Sequence, residues 1–391
     1  MTVFAQHGYG KSDKINRGLD AGNLKGVILS PKDEGVERLE HYINELSGSY
    51  PDIEIMVDPQ FYVSTISEPK LGHLEEYPYF ESELSRLQFI KPTDIRNYVK
   101  NTLDYQLRTS VTRILTPTVM VDNLSNPWSQ IALSLAMESV EYYSRKGDSR
   151  PLYISLCIDE IALTDKENLD EYLDMLSILE VDGFYIIVKR EKTGMISSLD
   201  PIRLSNLMYF THVLANYNEY DVVFGYTDLL GLPLFAAGSS AVSSGWFNTL
   251  KCFNISRFQP SSGGRRPRAR YTSKSLINSI LVIPELSTIY DAGRIEDVIL
   301  GNLYDSRMKN NPASATWPQD VHCLHNWSVL DSVCQDIEEG KSIFEKMDIL
   351  KSLVLESIEL HKELKEVVPF DTSFAHLLEW NQAIDEFKKL L

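Results

Sequence analysis

Lys189 closes the apolar run GFYIIVK (183–189), and Asp159 closes the run LYISLCID (152–159), with Glu160 directly behind it. An amine held among apolar residues loses its proton more readily and becomes nucleophilic. Nearby carboxylates can then carry the protons that carbonyl chemistry moves. The same residues suit a plainer arrangement, an ion pair from Lys189 to Asp159 or Glu160 that orders a rim. Asp58 and Asp122 stand at the ends of two more runs, IEIMVDP (53–59) and LTPTVMVD (115–122). With Asp159 and Glu160 they offer hard oxygen ligands for Mg2+ or Mn2+, although no short spacing joins them. Lys189, Asp159, Glu160, Asp58 and Asp122 are therefore the catalytic candidates, for chemistry of the lyase or transferase type.

A second set is built on glycine. The stretch DVVFGYTDLLGLPLFAAGSSAVSSGWF (221–247) carries Gly225, Gly238 and Gly245 at its turns. Glycine lets backbone N–H groups approach an anion, and a helix N-terminus adds a favourable dipole. The stretch resembles the phosphate-binding arrangement of (β/α)8 enzymes that hold flavin mononucleotide, phosphosugars or phosphoribosyl groups after strands seven and eight. That resemblance implies a phosphorylated small molecule or nucleotide as ligand, with a flavin or nucleotide as cofactor. Tyr226 and Trp246 depart from the pattern, since bulky rings follow the glycines and would either stack on a ligand or plug the site. Gly225 and Gly245 also fit a bland role, letting the chain turn at a rim. Asp228 belongs to the same stretch, and His7, Gln60 and Asn123 stand at the ends of other apolar runs. These complete the ligand-binding candidates.

What would bring such residues together is a repeated strand–helix unit. Eight short, β-branched apolar runs recur from VFAQH (3–7) to SAVSSG (240–245). Most are continuous rather than alternating, as expected of strands buried on both faces of a parallel sheet. Helix-period segments lie between them. Asn126-Pro127 and Asp200-Pro201 are capping pairs with Pro at the first helical position, and Asp33 precedes a further helix. Eight such units predict an α/β fold of the (β/α)8 barrel type, with a doubly wound open sheet as the rival. The barrel is expected over 1–260, with residues 63–113 as an inserted lobe after the third strand. Residues 261–391 are expected to be an Arg-rich loop and a helical region of roughly four or five helices with no strand pattern of comparable strength, its stripe running through Phe344, Met347, Leu350, Val354 and Ile358.

Three local signals carry less. Gly8-Tyr9-Gly10-Lys11-Ser12 has the end of a phosphate-binding P-loop but Ala5 where its first glycine belongs. His322, Cys323 and His325 sit in a segment of helical period rich in apolar residues, so a packed helix is expected there and no zinc. Asp58-Pro59-Gln60-Phe61 on a barrel resembles the tRNA-guanine transglycosylases, a family that uses a nucleophilic Asp on its last strand and a Cys-rich zinc site. Neither is found in this chain.

The chain has 391 residues and a net charge of −17, from 38 Lys+Arg against 55 Asp+Glu. That balance argues against a generic nucleic-acid or membrane-surface binder. Arg265, Arg266, Arg268 and Arg270 nevertheless crowd one short segment, either as a polyanion-binding loop or as a solvated linker. No apolar run reaches the length of a membrane span, and MTVFAQHGYGKSDK lacks the layout of a signal peptide. The four scattered cysteines suit a cytoplasmic protein with reduced thiols. The expected function is an enzyme acting on a phosphorylated small molecule or nucleotide at the C-terminal ends of the strands. A non-catalytic barrel docking a protein partner through its C-terminal helices is the first alternative. A barrel gripping nucleic acid through the Arg-rich loop is the second.

Overall fold

In a computed structural model of the protein, described over residues 2–191, 197–260, 268–366 and 368–391, the apolar runs form buried strands. They are β1 (Val3–Gln6), β2 (Gly26–Leu29), β3 (Glu54–Val57), β4 (Ile114–Leu115), β5 (Met120–Val121), β6 (Leu152–Asp159), β7 (Gly183–Lys189), β8 (Asp221–Gly225) and β9 (Ala241–Ser244). Their order is β3-β2-β1-β9-β8-β7-β6-β4, with β5 beside β6, and the neighbouring pairs are parallel. At the remaining gap Thr112 bridges to β3, donating its N–H to Ile55 O (2.9 Å) and accepting the Ile55 N–H at Oγ1 (2.8 Å). The result is a nearly closed (β/α)8 barrel.

The fourth place in the barrel is shared. One strand was expected over 115–122, but two short pieces, β4 and β5, pair with β6 on either side of Pro117. Proline has no N–H to give to a ladder, so the strand breaks there.

The helices α1 (Lys14–Asp20), α2 (Val36–Ser49), α3 (Pro92–Leu107), α4 (Pro127–Ser144), α5 (Lys166–Ser177), α6 (Pro201–His212) and α7 (Gly231–Ala236) alternate with the strands. Asn126 caps α4 by accepting from Trp128 N (2.8 Å), and Asp200 caps α6 by accepting from Ile202 N (3.0 Å). Asp33 does not cap α2. Gly35 takes that position, and the Asp33 carboxylate turns inward to Ser30 and Arg257. Within 63–113, α3 packs against α4 in the outer ring, so the segment includes the crossover helix of the barrel itself. Its remainder is a set of short 3-10 turns around the mutually packed rings of Tyr77, Tyr79 and Tyr105.

After β9 the chain forms a hairpin that the sequence reading did not anticipate, β10 (Arg270–Ser273) paired antiparallel with β11 (Asn278–Leu281). Its strands are four residues each and mix polar with apolar side chains, so they carry little periodic signal. The hairpin packs on a small core of its own with Leu286, Ile289, Met308 and Leu364. Among the described residues five α-helices follow: α8 (Ser287–Asp291), α9 (Ser306–Asn310), α10 (Gln319–Glu338), α11 (Ile343–Lys365) and α12 (Ala375–Leu390).

One of these helices completes the barrel. α10 lies against α1, α7 and β1, filling the eighth place in the outer ring. The Trp327 ring is fully buried there and donates its Nε1–H to Ser244 O (2.8 Å), while Thr2 Oγ1 donates to Asp331 (2.9 Å). α11 packs on α7 and α12 on α6, forming a second layer over one side of the ring. The stripe of Met347, Leu350, Val354 and Ile358 is buried within the chain's own core, whereas Phe344 stays 53% exposed. A boundary at residue 260 thus falls between β9 and the helix that completes its ring. Among the described residues no helix is long and apolar enough to cross a membrane.

Candidate functional site

Parallel strands bring all their C-terminal ends to one face, and there two polar regions lie side by side. The first occupies the barrel axis. Asp58, just past β3, is 1% exposed. Its carboxylate accepts from Gln60 N (3.0 Å), the Tyr62 hydroxyl (2.9 Å) and, across the barrel, the Tyr185 hydroxyl (3.3 Å). Burial pushes its pKa up to about 6, and those three hydrogen bonds to the charged form hold back a larger rise. The Tyr185 ring crosses the interior because its neighbour is Gly225. A Cβ at that glycine would come within 2.5 Å of the Tyr185 hydroxyl. Gln60, in the left-handed region at φ 54°, donates to Ser30 Oγ (2.9 Å) and accepts the Lys32 N–H (2.9 Å). Arg257, from the segment that follows β9, pairs with Asp33 and lies near the rings of Tyr226 and Phe258.

His7 closes this network. Its Nδ1 accepts from Ser30 N (3.1 Å), and burial pushes its pKa down to about 3, so the ring is neutral. Among the described residues Gln6 Nε2, His7 Nε2 and Arg257 Nε are buried without a hydrogen-bond partner. Tyr62, Tyr226, Phe253 and Phe258, each at most 4% exposed, seal the axis from above.

The second region is an open cleft of about 370 Å3. Asp228 and Leu229 after β8, and Asn248 and Lys251 after β9, supply its barrel side. Arg270 and Asn278 from the hairpin, His322 from α10, Asp371 from the segment before α12 and His376 in its first turn supply the other side. Asp228 is buried and accepts from Ser244 Oγ (2.6 Å) and Asn326 Nδ2 (2.8 Å), with Lys251 Nζ at 3.3 Å. Burial opposes its ionisation, yet Lys251 and the two hydrogen bonds outweigh it and hold the carboxyl below the usual carboxylate range. Burial, reinforced by the positive charge of Lys251, pushes His322 down to about 3, and among the described residues its Nε2 has no hydrogen-bond partner. An adjoining cleft shares Ser198 and is lined by Glu160, Arg190, Arg203 and Glu379.

The structure distributes the sequence candidates between and beyond these regions. Lys189 lies on the same face of β7 as Tyr185, which points inward, and pairs with Asp159 at 2.5 Å. Asp159 also accepts the Ile161 N–H (3.0 Å). Glu160 is held by Arg190 at 2.6 Å. Asp122 and Asn123 are exposed and bonded within the turn that leads into α4, to Asn126 and Ser125. The four acids are thus engaged separately, and among the described residues no group of three or more His, Cys, Asp and Glu is placed to hold a metal ion.

Of the glycine set, Gly225 and Gly245 reach the C-terminal face, but their surroundings are occupied. The Tyr226 N–H donates to Ser243 Oγ (2.8 Å), and a Cβ on Gly245 would stand 2.5 Å from Leu250 Cβ. Trp246 packs edge-on to His7 and donates to Tyr9 O (2.8 Å). Gly238 does not join them. It precedes β9 and so lies at the opposite, N-terminal end of the barrel, where its φ of 121° serves the turn. Arg265 and Arg266 lie outside the described residues. Arg270 donates to Thr372 Oγ1 (3.2 Å) and lines the cleft.

Sequence reasoning missed Lys251, Arg257, His376 and Asp371, which sit in irregular segments or open a helix and belong to no motif. His322 was noticed only as a discarded zinc ligand.

No model of a known protein family matches this chain, and no curated protein matches it. Among solved structures that resemble it is a type I 3-dehydroquinate dehydratase from Clostridium difficile with covalently modified comenic acid. The two chains are 13% identical with a TM-score of 0.36, over 66% of this chain and 88% of that one. The barrel assignment rests on this chain's own strand order.

Proposed function

We propose that this barrel binds a phosphorylated small molecule in the open cleft and is an enzyme acting on it. The observation that carries the reading is the grouping of Lys251, Arg270 and the unpartnered His322 Nε2 over the ends of β8 and β9. In (β/α)8 folds that corner of the C-terminal face is the frequent place for a phosphate. Cations and neutral N–H donors in a partly desolvated site suit a phosphate oxygen, and such charge-assisted hydrogen bonds are strong. Lys189, at the end of the neighbouring β7, and Asp159, at the end of β6, pair with each other on the same face and are the ionisable groups we assign to act on a bound molecule.

Calorimetric titration of the full chain with inorganic phosphate tests this. Binding is expected, and His322→Phe, which keeps a ring but removes the Nε2 donor, should weaken it about tenfold. Absence of phosphate binding, or an unchanged affinity in the variant, overturns the reading.

One observation favours a second reading. The barrel axis, where reacting groups of barrel enzymes converge, is filled by the protein's own rings. In that reading the barrel is a non-catalytic subunit whose cleft ligand stabilises it, and Phe344, Leu355 and Leu378, exposed on the C-terminal helices, face a protein partner. Turnover of any phosphorylated compound bound in the cleft would exclude it.

A further inference from the structure

We infer that the cleft ligand is a phosphorylated polyol, a sugar phosphate rather than a nucleotide; this rests on the phosphate-binding reading above and narrows it. A nucleobase asks for a flat apolar or aromatic wall, since base–aromatic stacking contributes about 1–3 kcal/mol per base. No Phe, Tyr or Trp lines this cleft, and Leu229 is its one aliphatic side chain among the described residues. What lines it is a mixture of short donors and acceptors.

Four of these have side chains left open among the described residues. Among the described residues the side chains of Ser197, Asn248, His322 and Asp371 make no hydrogen bond. Elsewhere in the cleft the polar groups are taken. Thr372 donates to Glu285 (2.7 Å), Asn278 to Ser373 O (3.0 Å), and His376 Nε2 is bonded to Ile277 O (3.0 Å). The open groups fall into two classes. His322 lies near the positive charges of Lys251 and Arg270, a place for the phosphate. Asp371 accepts only, while Asn248 and Ser197 both donate and accept. Hydroxyl groups on neighbouring carbons both donate and accept, so a polyol chain satisfies such a set, whereas phosphate alone leaves Asp371 unmatched. A volume of about 370 Å3 admits a five- or six-carbon phosphate.

The test is calorimetry on the full chain with three probes, inorganic phosphate, D-ribose 5-phosphate and AMP. Ribose 5-phosphate should bind at least tenfold more tightly than phosphate, and AMP no more tightly than ribose 5-phosphate. Asp371→Ala, at an exposed position, should return ribose 5-phosphate to the affinity of inorganic phosphate without weakening phosphate itself. If AMP is the tightest probe, or if Asp371→Ala leaves ribose 5-phosphate unaffected, the polyol assignment is overturned and phosphate binding stands. If none of the three binds, both fall.

Discussion

At the barrel axis Asp58 takes hydrogen bonds from Tyr62, Tyr185 and a backbone N–H, under rings that exclude solvent. A short way off, Asn248, His322 and Asp371 line an open cleft, and among the described residues their side chains make no hydrogen bond. Both regions are polar, and both lie on the face where barrels place their chemistry. At the axis the protein's own groups satisfy Asp58, and the orphaned Gln6 Nε2, His7 Nε2 and Arg257 Nε are sealed from solvent beneath the rings. The cleft leaves groups over, and unsatisfied groups on a concave surface are the ones available to a ligand.

If that contrast holds, the two regions separate stability from binding. The largest effect is expected at Tyr185. Tyr185→Ala deletes a fully buried ring and should cost about 3–5 kcal/mol in urea denaturation while phosphate affinity in the cleft stays within twofold. A stable variant with lost phosphate binding would reverse the assignment of the two regions.

Asp58→Asn gives a smaller, pH-dependent effect. In the fold the Asp58 carboxyl has a pKa of about 6, against 3.8 for the unperturbed group. Between those values the folded state holds more protons than the unfolded one, so this group adds stability as the pH falls from 7 to 4. The variant lacks that gain. Its stability relative to wild type should therefore be greater at pH 8 than at pH 4, by on the order of 2–3 kcal/mol. His7, neutral in the fold, works in the opposite direction below its ordinary pKa but is common to both proteins. A flat difference between pH 4 and 8 would show that Asp58 titrates normally.

The smallest change in the fold is expected at Asn248, which is exposed at the cleft. Asn248→Asp should alter stability by less than about 0.5 kcal/mol and lower phosphate affinity about tenfold, through like-charge repulsion in a partly desolvated site. Unchanged affinity would place the anion elsewhere.

The barrel was legible in the sequence because doubly buried strands are continuous apolar runs, and because Asn126-Pro127 and Asp200-Pro201 announce helix starts locally. Lys189 could be placed inward by its period-two relation to Tyr185. The site was harder to read. Motif logic pointed to Gly225 and Gly245, yet those glycines make room for Tyr185 and Leu250. Gly238 shared their spacing but belongs to the far end of the barrel. The cleft is assembled from Lys251, Arg270, His322 and Asp371, residues spread over 120 positions and joined only by the fold. No local pattern encodes such a meeting. The hairpin of β10 and β11 was missed for a related reason, since its strands are stabilised by the tail packed around them rather than by their own periodicity.

The placement of α10 sets an order of events during synthesis. β1 leaves the ribosome long before α10, the helix that covers it and the last made of the ring elements, and the Thr2–Asp331 hydrogen bond joins positions 329 residues apart. Until then the growing chain carries an open seam along β1, beside Trp327's future place against Ser244. A nascent chain released before α10 would expose that seam, and chaperone capture or aggregation would be its fate. Closure brings His322 to the cleft, and Asp371 and His376 complete it only when the later chain leading into α12 has followed.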